Sequence, residues 1–154
     1  MVQEIIDILS VVTTSALVGN EFAIAAFIHP ILSRLDDVTH TKAVKPLAQV
    51  TGRAMPFWYI AALGLTGATA FYRQVGSLTW TLSVLSAGLL IASIIFTLVG
   101  PLPINKRVAG WDLGALPPGW REDRQRWDWL HRLRVGIVLA AALSGATAVA
   151  LGRA

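Results

Sequence analysis

Residues 77–104 read SLTWTLSVLSAGLLIASIIFTLVGPLPI, without a single Asp, Glu, Lys or Arg. A helix rising about 1.5 Å per residue needs about 20 mostly apolar residues to cross the hydrocarbon of a bilayer. This stretch meets that length and lacks the polar stripe of a soluble surface helix. Residues 54–72 and 135–152 are equally free of charge, and residues 8–33 carry one acid, Glu21, and one imidazole, His29. Spans are therefore predicted over residues 5–32, 55–71, 78–101 and 133–151. Lipid offers no partners to backbone polar groups, so long unbroken spans must be helices. The expected fold is all-α: an integral membrane four-helix bundle, up-down-up-down, forming one domain over residues 1–154.

Composition agrees with this reading. Hydrophobic residues make up 55% of the chain and charged residues 14%, against about 25% charged in an ordinary soluble domain. The net charge of +4 does not imply nucleic-acid binding, because the basic residues sit between apolar spans and form no soluble basic face. The chain has no cysteine, which excludes disulfides, thiolate metal sites and Cys-based redox relays.

Eleven of the thirteen Lys and Arg residues fall in two segments, residues 33–53 and 102–134. By the positive-inside rule these two loops face the cytoplasm and both termini face outward. The acidic start, Met1 to Asp7, is unlike a cleavable signal, so the first helix is expected to be retained.

Pro117-Pro118-Gly119 should break the third loop, after which an interfacial helix over residues 119–132 runs on into the fourth span. Trp120, Trp127 and Trp129 suit a membrane interface. Trp127, His131 and Arg134 are spaced by four and three and share one helix face. Residues 65–70 (LTGATA) and 143–148 (LSGATA) are related. Close packing through small residues explains them better than an ancient duplication.

Glu21, preceded by Asn20, lies mid-span, where an unpaired charge costs about 2.5–3.5 kcal/mol on insertion scales. It should turn inward, as a proton acceptor, ligand or structural carboxyl. His29 lies eight residues further along, which is about 80° of rotation and 12 Å of rise on an α-helix. It is a base or ligand in one reading and a helix-end cap in the other. Arg53 could hold an anionic oxygen or anchor in the interface. Asn105, behind Pro101 and Pro103, could bind freed carbonyls or a ligand. On the fourth helix Trp127 offers an aromatic surface, His131 a proton carrier and Arg134 a cation. The predicted topology gathers these groups near the cytoplasmic boundary, with Glu21 deeper.

On Gly19-Asn20-Glu21-Phe22, Arg53 and Pro56, Pro101-x-Pro103-x-Asn105, and Trp127, His131 and Arg134, the chain resembles the anthrone oxygenase-like family of small four-span membrane proteins. The resemblance covers nearly the whole chain. It implies an oxygenase or oxidoreductase that oxidises a lipophilic, anthrone-like polyketide substrate with molecular oxygen and without an organic cofactor. Glu21, His131 and Arg134 are then the expected catalytic groups, with Glu21 or His131 as base. Asn20, His29, Arg53, Asn105 and Trp127 are expected to contact substrate. A metal, iron or copper, held by Glu21, His29 and His131, is the mechanistic alternative, although these residues lack the short spacing of helical metal motifs. The expected partners are the lipid bilayer, the substrate and oxygen, and a homo-oligomer is compatible with the sequence. The other class of reading is a small transporter or an accessory subunit.

Overall fold

The computed structural model describes residues 1–112 and 115–153; Leu113 and Gly114, within the third connection, and Ala154 lie outside the described residues. The described residues are helical with no strand: α1 (Val2–Ala23), a π-helical turn (Ile24–Ile28), α2 (His29–Leu32), α3 (Asp37–Phe71), α4 (Leu78–Val99), α5 (Pro101–Ala109) and α6 (Trp120–Leu151). Among them, four helical stretches are long and apolar enough to cross a membrane: Val2–Leu32, Asp37–Phe71, Leu78–Val99 and Trp120–Leu151. They form a ring in which α1 packs on α3, α3 on α4, α4 on α6 and α6 on α1. The short α5 lies across one end, against α3, α4 and α6.

Buried positions include Ser10, Thr14, Thr66, Thr69, Ser83, Ser86 and Ser93, whereas Ile8, Val12, Phe57, Ile91, Ile95 and Leu143 are exposed. Such an arrangement would be costly in water. It suits lipid, where apolar surface gains nothing by turning inward and helices associate through close packing and hydrogen bonds. The Ser86 hydroxyl donates to the Ala141 carbonyl at 2.7 Å, joining α4 to α6. Ser10 and Thr66 hydroxyls meet at 3.2 Å between α1 and α3. A Cβ added at Gly145 would lie 3.0 Å from Ser86 Oγ, whereas at Gly67 it would meet nothing within 4 Å. The two LxGATA stretches thus serve different surfaces: only the second brings a glycine against a neighbouring helix.

Two boundaries differ from the sequence reading. Residues 37–53, expected as loop, are helical and continue into the second span as α3, whose interior holds Pro46 and Pro56. Hydropathy locates where lipid begins, not where a helix begins, and Lys42, Lys45 and Arg53 are good helix formers. The Asp36 side chain caps the start by accepting from the Thr39 amide at 3.1 Å. The third span ends at Val99, and Pro101 opens the separate helix α5. Proline is tolerated there because the first turn of a helix has no use for its missing N–H.

At the end opposite α5, Asp7 and Arg73 form a buried ion pair at 2.8 Å between α1 and the turn after α3.

Candidate functional site

The site begins with an irregularity in the first span. On a regular helix Glu21 and His29 would be about 80° apart. The π turn at Ile24–Ile28 admits about one extra residue, which sets the helical phase back by roughly 100°. The offset is nearly cancelled, and Glu21 and His29 line the same cavity. Sequence periodicity cannot reveal a π turn, which is why the two residues were expected on neighbouring faces.

Glu21 is 1% exposed. Its Oε2 accepts from Arg134 Nη2 at 2.7 Å and Nε at 3.2 Å. Its Oε1 accepts from the Tyr59 hydroxyl at 3.2 Å. His131 Nε2 donates to the Glu21 backbone carbonyl at 3.1 Å, so Nδ1 keeps its lone pair and accepts from Arg134 Nη2 at 3.0 Å. Arg134 Nη1 donates to Thr97 Oγ1 at 3.2 Å. One guanidinium thereby ties α6 to α1 and α4, and a buried carboxylate is compensated by one cation.

A second cluster lies one turn nearer to α5. His29 Nδ1 is 2.8 Å from Asp128 Oδ1, and the Arg124 guanidinium pairs with the same carboxylate. Arg124 Nη2 lies 2.8 Å from His29 Nδ1 and 3.1 Å from Nε2, so the imidazole, the guanidinium and the Asp128 carboxylate meet at one point. Trp127 joins the clusters: its ring stacks on His131 at 4.7 Å and 19°, lies 4.7 Å from the His29 ring and receives Arg124 on its face at 4.5 Å. The Trp127 Nε1–H is buried without a protein partner among the described residues.

Both clusters form one wall of a cavity of about 230 Å³, somewhat below the roughly 300–1,000 Å³ of pockets for drug-sized ligands. The charged groups on the cavity wall come from α1, α2 and α6. The facing wall, from α3, α4 and α5, is mostly apolar and includes Met55, Pro56, Ile60, Ile94 and Leu98, with Asn105 at the α5 end. Between this cavity and the opposite end of the bundle, Leu17, Leu90 and Val138 are fully buried and close the bore.

Six of the residues singled out from sequence meet here: Glu21, His29, Asn105, Trp127, His131 and Arg134. Two do not. Arg53 is exposed on α3, one residue past cavity-lining Gly52 and so about 100° around the helix. Asn20 is half-buried between α1 and α3, its amide 3.4 Å from Met55 Sδ, and reaches the cavity only through that side chain. Four residues were not anticipated: Tyr59, Thr97, Arg124 and Asp128. A signal existed for two of them, since Arg124 and Asp128 precede Trp127 and His131 at helical spacing on the same face. Tyr59 and Thr97 could be assigned only once α3 and α4 were placed against α1 and α6.

The alternative ligand set Glu21, His29 and His131 is not assembled as a metal site. Among the described residues no group of three His, Cys, Asp or Glu side chains is arranged to hold a metal ion. The Glu21 carboxylate is paired with Arg134, His131 Nε2 is spent on the Glu21 carbonyl, and His131 Nδ1 lies 3.0 Å from the Arg134 guanidinium and 3.3 Å from Glu21 Oε2. As arranged, these donors do not fit a bound metal ion.

The fold and site define a class: a membrane-embedded helical bundle with a cavity near one end, charged on one wall and apolar on the other. A family model described as anthrone oxygenase matches residues 46–144, and the chain belongs to that family. The match includes Asn105, Trp127, His131 and Arg134, while Glu21 and His29 precede it. No curated protein and no solved structure matches the chain.

Proposed function

We propose that the protein is a membrane oxygenase that oxidises a planar, lipophilic, anthrone-like substrate with molecular oxygen in the cavity between α1 and α6. The observation that carries this reading is the buried Glu21–Arg134 pair facing an apolar wall. An anthrone has acidic C–H bonds opposite a ring carbonyl. If Glu21 takes one of these protons, the negative charge passes from the carboxylate to the substrate's enolate oxygen. Arg134 stays within reach of both, so the number of charges in the low-dielectric cavity does not change. That is the condition under which deprotonation is least opposed by desolvation. Trp127, stacked on His131 and covered by Arg124, holds the polar wall that the substrate's edge meets.

The electron-rich carbon then bonds to one atom of oxygen, the other oxygen atom takes up a proton, and loss of water from this hydroperoxide leaves a new carbonyl. Anthrone plus one O2 gives anthraquinone plus one water, so no external reductant is needed. The family match supports the oxygenase class, and the chain's own cavity chemistry supports an acidic C–H substrate. The cation-rich ends of the spans support an orientation with this cavity toward the cytoplasmic side. A transporter would call for a polar path through the bore, which Leu17, Leu90 and Val138 interrupt.

The test is isotopic. Purified protein in nanodiscs is supplied with anthrone and 18O2, and the anthraquinone is analysed by mass spectrometry. One 18O atom per product molecule, with the second in water, is expected. Product formed without label, or only at the rate of protein-free discs, refutes the reading.

A further inference from the structure

We infer that the cavity opens sideways, between α3 and α4, through a portal bounded by Pro56, Ile60 and Leu98, and that its ligand arrives from the acyl chains of the bilayer. The inference takes the planar, lipophilic ligand from the function proposed above; the route itself rests on the distribution of exposure around the cavity. Pro56 lines the cavity and is exposed on the outer surface of the bundle. Ile60 and Leu98 also line it and are 64% and 56% exposed. A side chain that touches both an internal cavity and the outside marks an opening.

The opening lies at the level of lipid. Gly52, Pro56 and Ile60 follow one another at spacing four, so they form one stripe along α3. Ile60 is four residues inside Pro56, about 6 Å further along the helix axis. Leu98 faces this stripe from the last turn of α4. The residues that border the opening are apolar and the charged groups lining the cavity lie on its far wall, while exposed Arg53 sits on the same side of α3 nearer the helix's membrane boundary. At the α5 end, by contrast, access is closed by side chains: Ile104, Val108, Trp111 and Leu130 form a buried cluster with Trp127. Arg107–Asp123 and Arg121–Asp37 pair across the helix ends outside it.

The geometry also orients the ligand. A molecule moving inward from the portal presents its leading edge to Arg134, Glu21 and His131 and leaves its trailing edge in the rim. The leading edge therefore carries the oxygen function. The trailing edge is apolar, and an alkyl substituent there can remain in the bilayer. The ligand class is a planar ketone or phenol with polarity at one edge; an anionic group on the trailing edge would be stranded in lipid.

The experiment uses the full chain in nanodiscs and follows quenching of tryptophan fluorescence by anthraquinone in stopped flow. Ile60→Trp combined with Leu98→Trp narrows the portal, while Ile60→Ala combined with Leu98→Ala widens it. Ile60 and Leu98 border the opening itself, so both rates report on it. A gate changes association and dissociation together. The Trp pair is expected to slow both by roughly tenfold and the Ala pair to speed both. Anthraquinone-2-sulfonate is expected not to bind. Wild-type rates in both double variants, or binding of the sulfonate at a rate set by its aqueous concentration, would overturn the portal. Anthraquinone binding with the expected kinetics but no oxygen uptake with anthrone would sink the oxygenase reading and leave the portal standing.

Discussion

Replacing Arg134 by Gln should destabilise the bundle through the charge it leaves behind. Glu21 and Arg134 meet at 2.7 Å with side-chain exposures of 1% and 10%. Removing one partner of a buried pair costs about 3–5 kcal/mol, because the other charge stays desolvated. The lower end applies here, since Glu21 keeps the Tyr59 hydroxyl. The reciprocal change, Glu21→Gln, strands Arg134 with only Thr97 and His131, and about 3 kcal/mol is again expected. For a domain of this size each kcal/mol moves the unfolding midpoint by about 2–4 °C, so each single variant should lose about 6–12 °C. The double variant Glu21→Gln/Arg134→Gln retains no unpaired charge and should lose no more than either single one, a coupling of about 3 kcal/mol. The assay is thermal unfolding in one detergent at one scan rate, because membrane proteins often unfold irreversibly. Losses that simply add in the double variant would refute the claim that these side chains compensate each other.

Other outcomes follow from the same geometry. Asp7→Asn, at the far end of the bundle, should lower the midpoint by about 6 °C or more through stranded Arg73 and leave oxygen uptake per folded molecule unchanged. Asp128→Asn removes the anion facing His29 and Arg124; a roughly tenfold loss in kcat/KM is expected, since both side chains lose the carboxylate that orients them. Gly145→Leu should separate α4 from α6 at Ser86 and lower the midpoint, whereas Gly67→Leu should not. Asp36→Ala tests the cap of α3: the Thr39 side chain and amide hold the Asp36 carboxyl below the usual carboxylate range. Its contribution is therefore present above that range and fades as pH falls through the lowered value, so variant and wild type should converge in acid.

The spans were legible because lipid imposes a length and a polarity on any helix that crosses it, and residues 77–104 meet both. The inward turn of Glu21 was legible for the same reason: the energetic cost of a stranded carboxylate applies whatever the neighbours are. Its partner was less so. Arg134 was grouped with Trp127 and His131 by spacing on α6, but its pairing with Glu21 depends on how α1 and α6 are rotated. The joint placement of Glu21 and His29 depends on a π turn that no periodicity announces. Arg53 shows the opposite error. Proximity to the membrane boundary placed it among the site residues, whereas the rotation of α3 turns it outward. Depth in the membrane can be read from one span at a time, but the facing of a side chain requires all four.

The most direct test of the account is oxygen uptake with anthrone by wild type and Glu21→Gln in nanodiscs, measured at a temperature where both remain folded. Wild type should consume one O2 per anthrone, and the Gln variant should be slower by about a hundredfold or more, the scale of a lost general base. Equal rates in the two proteins would contradict the assignment of Glu21 as the group that takes the substrate's proton.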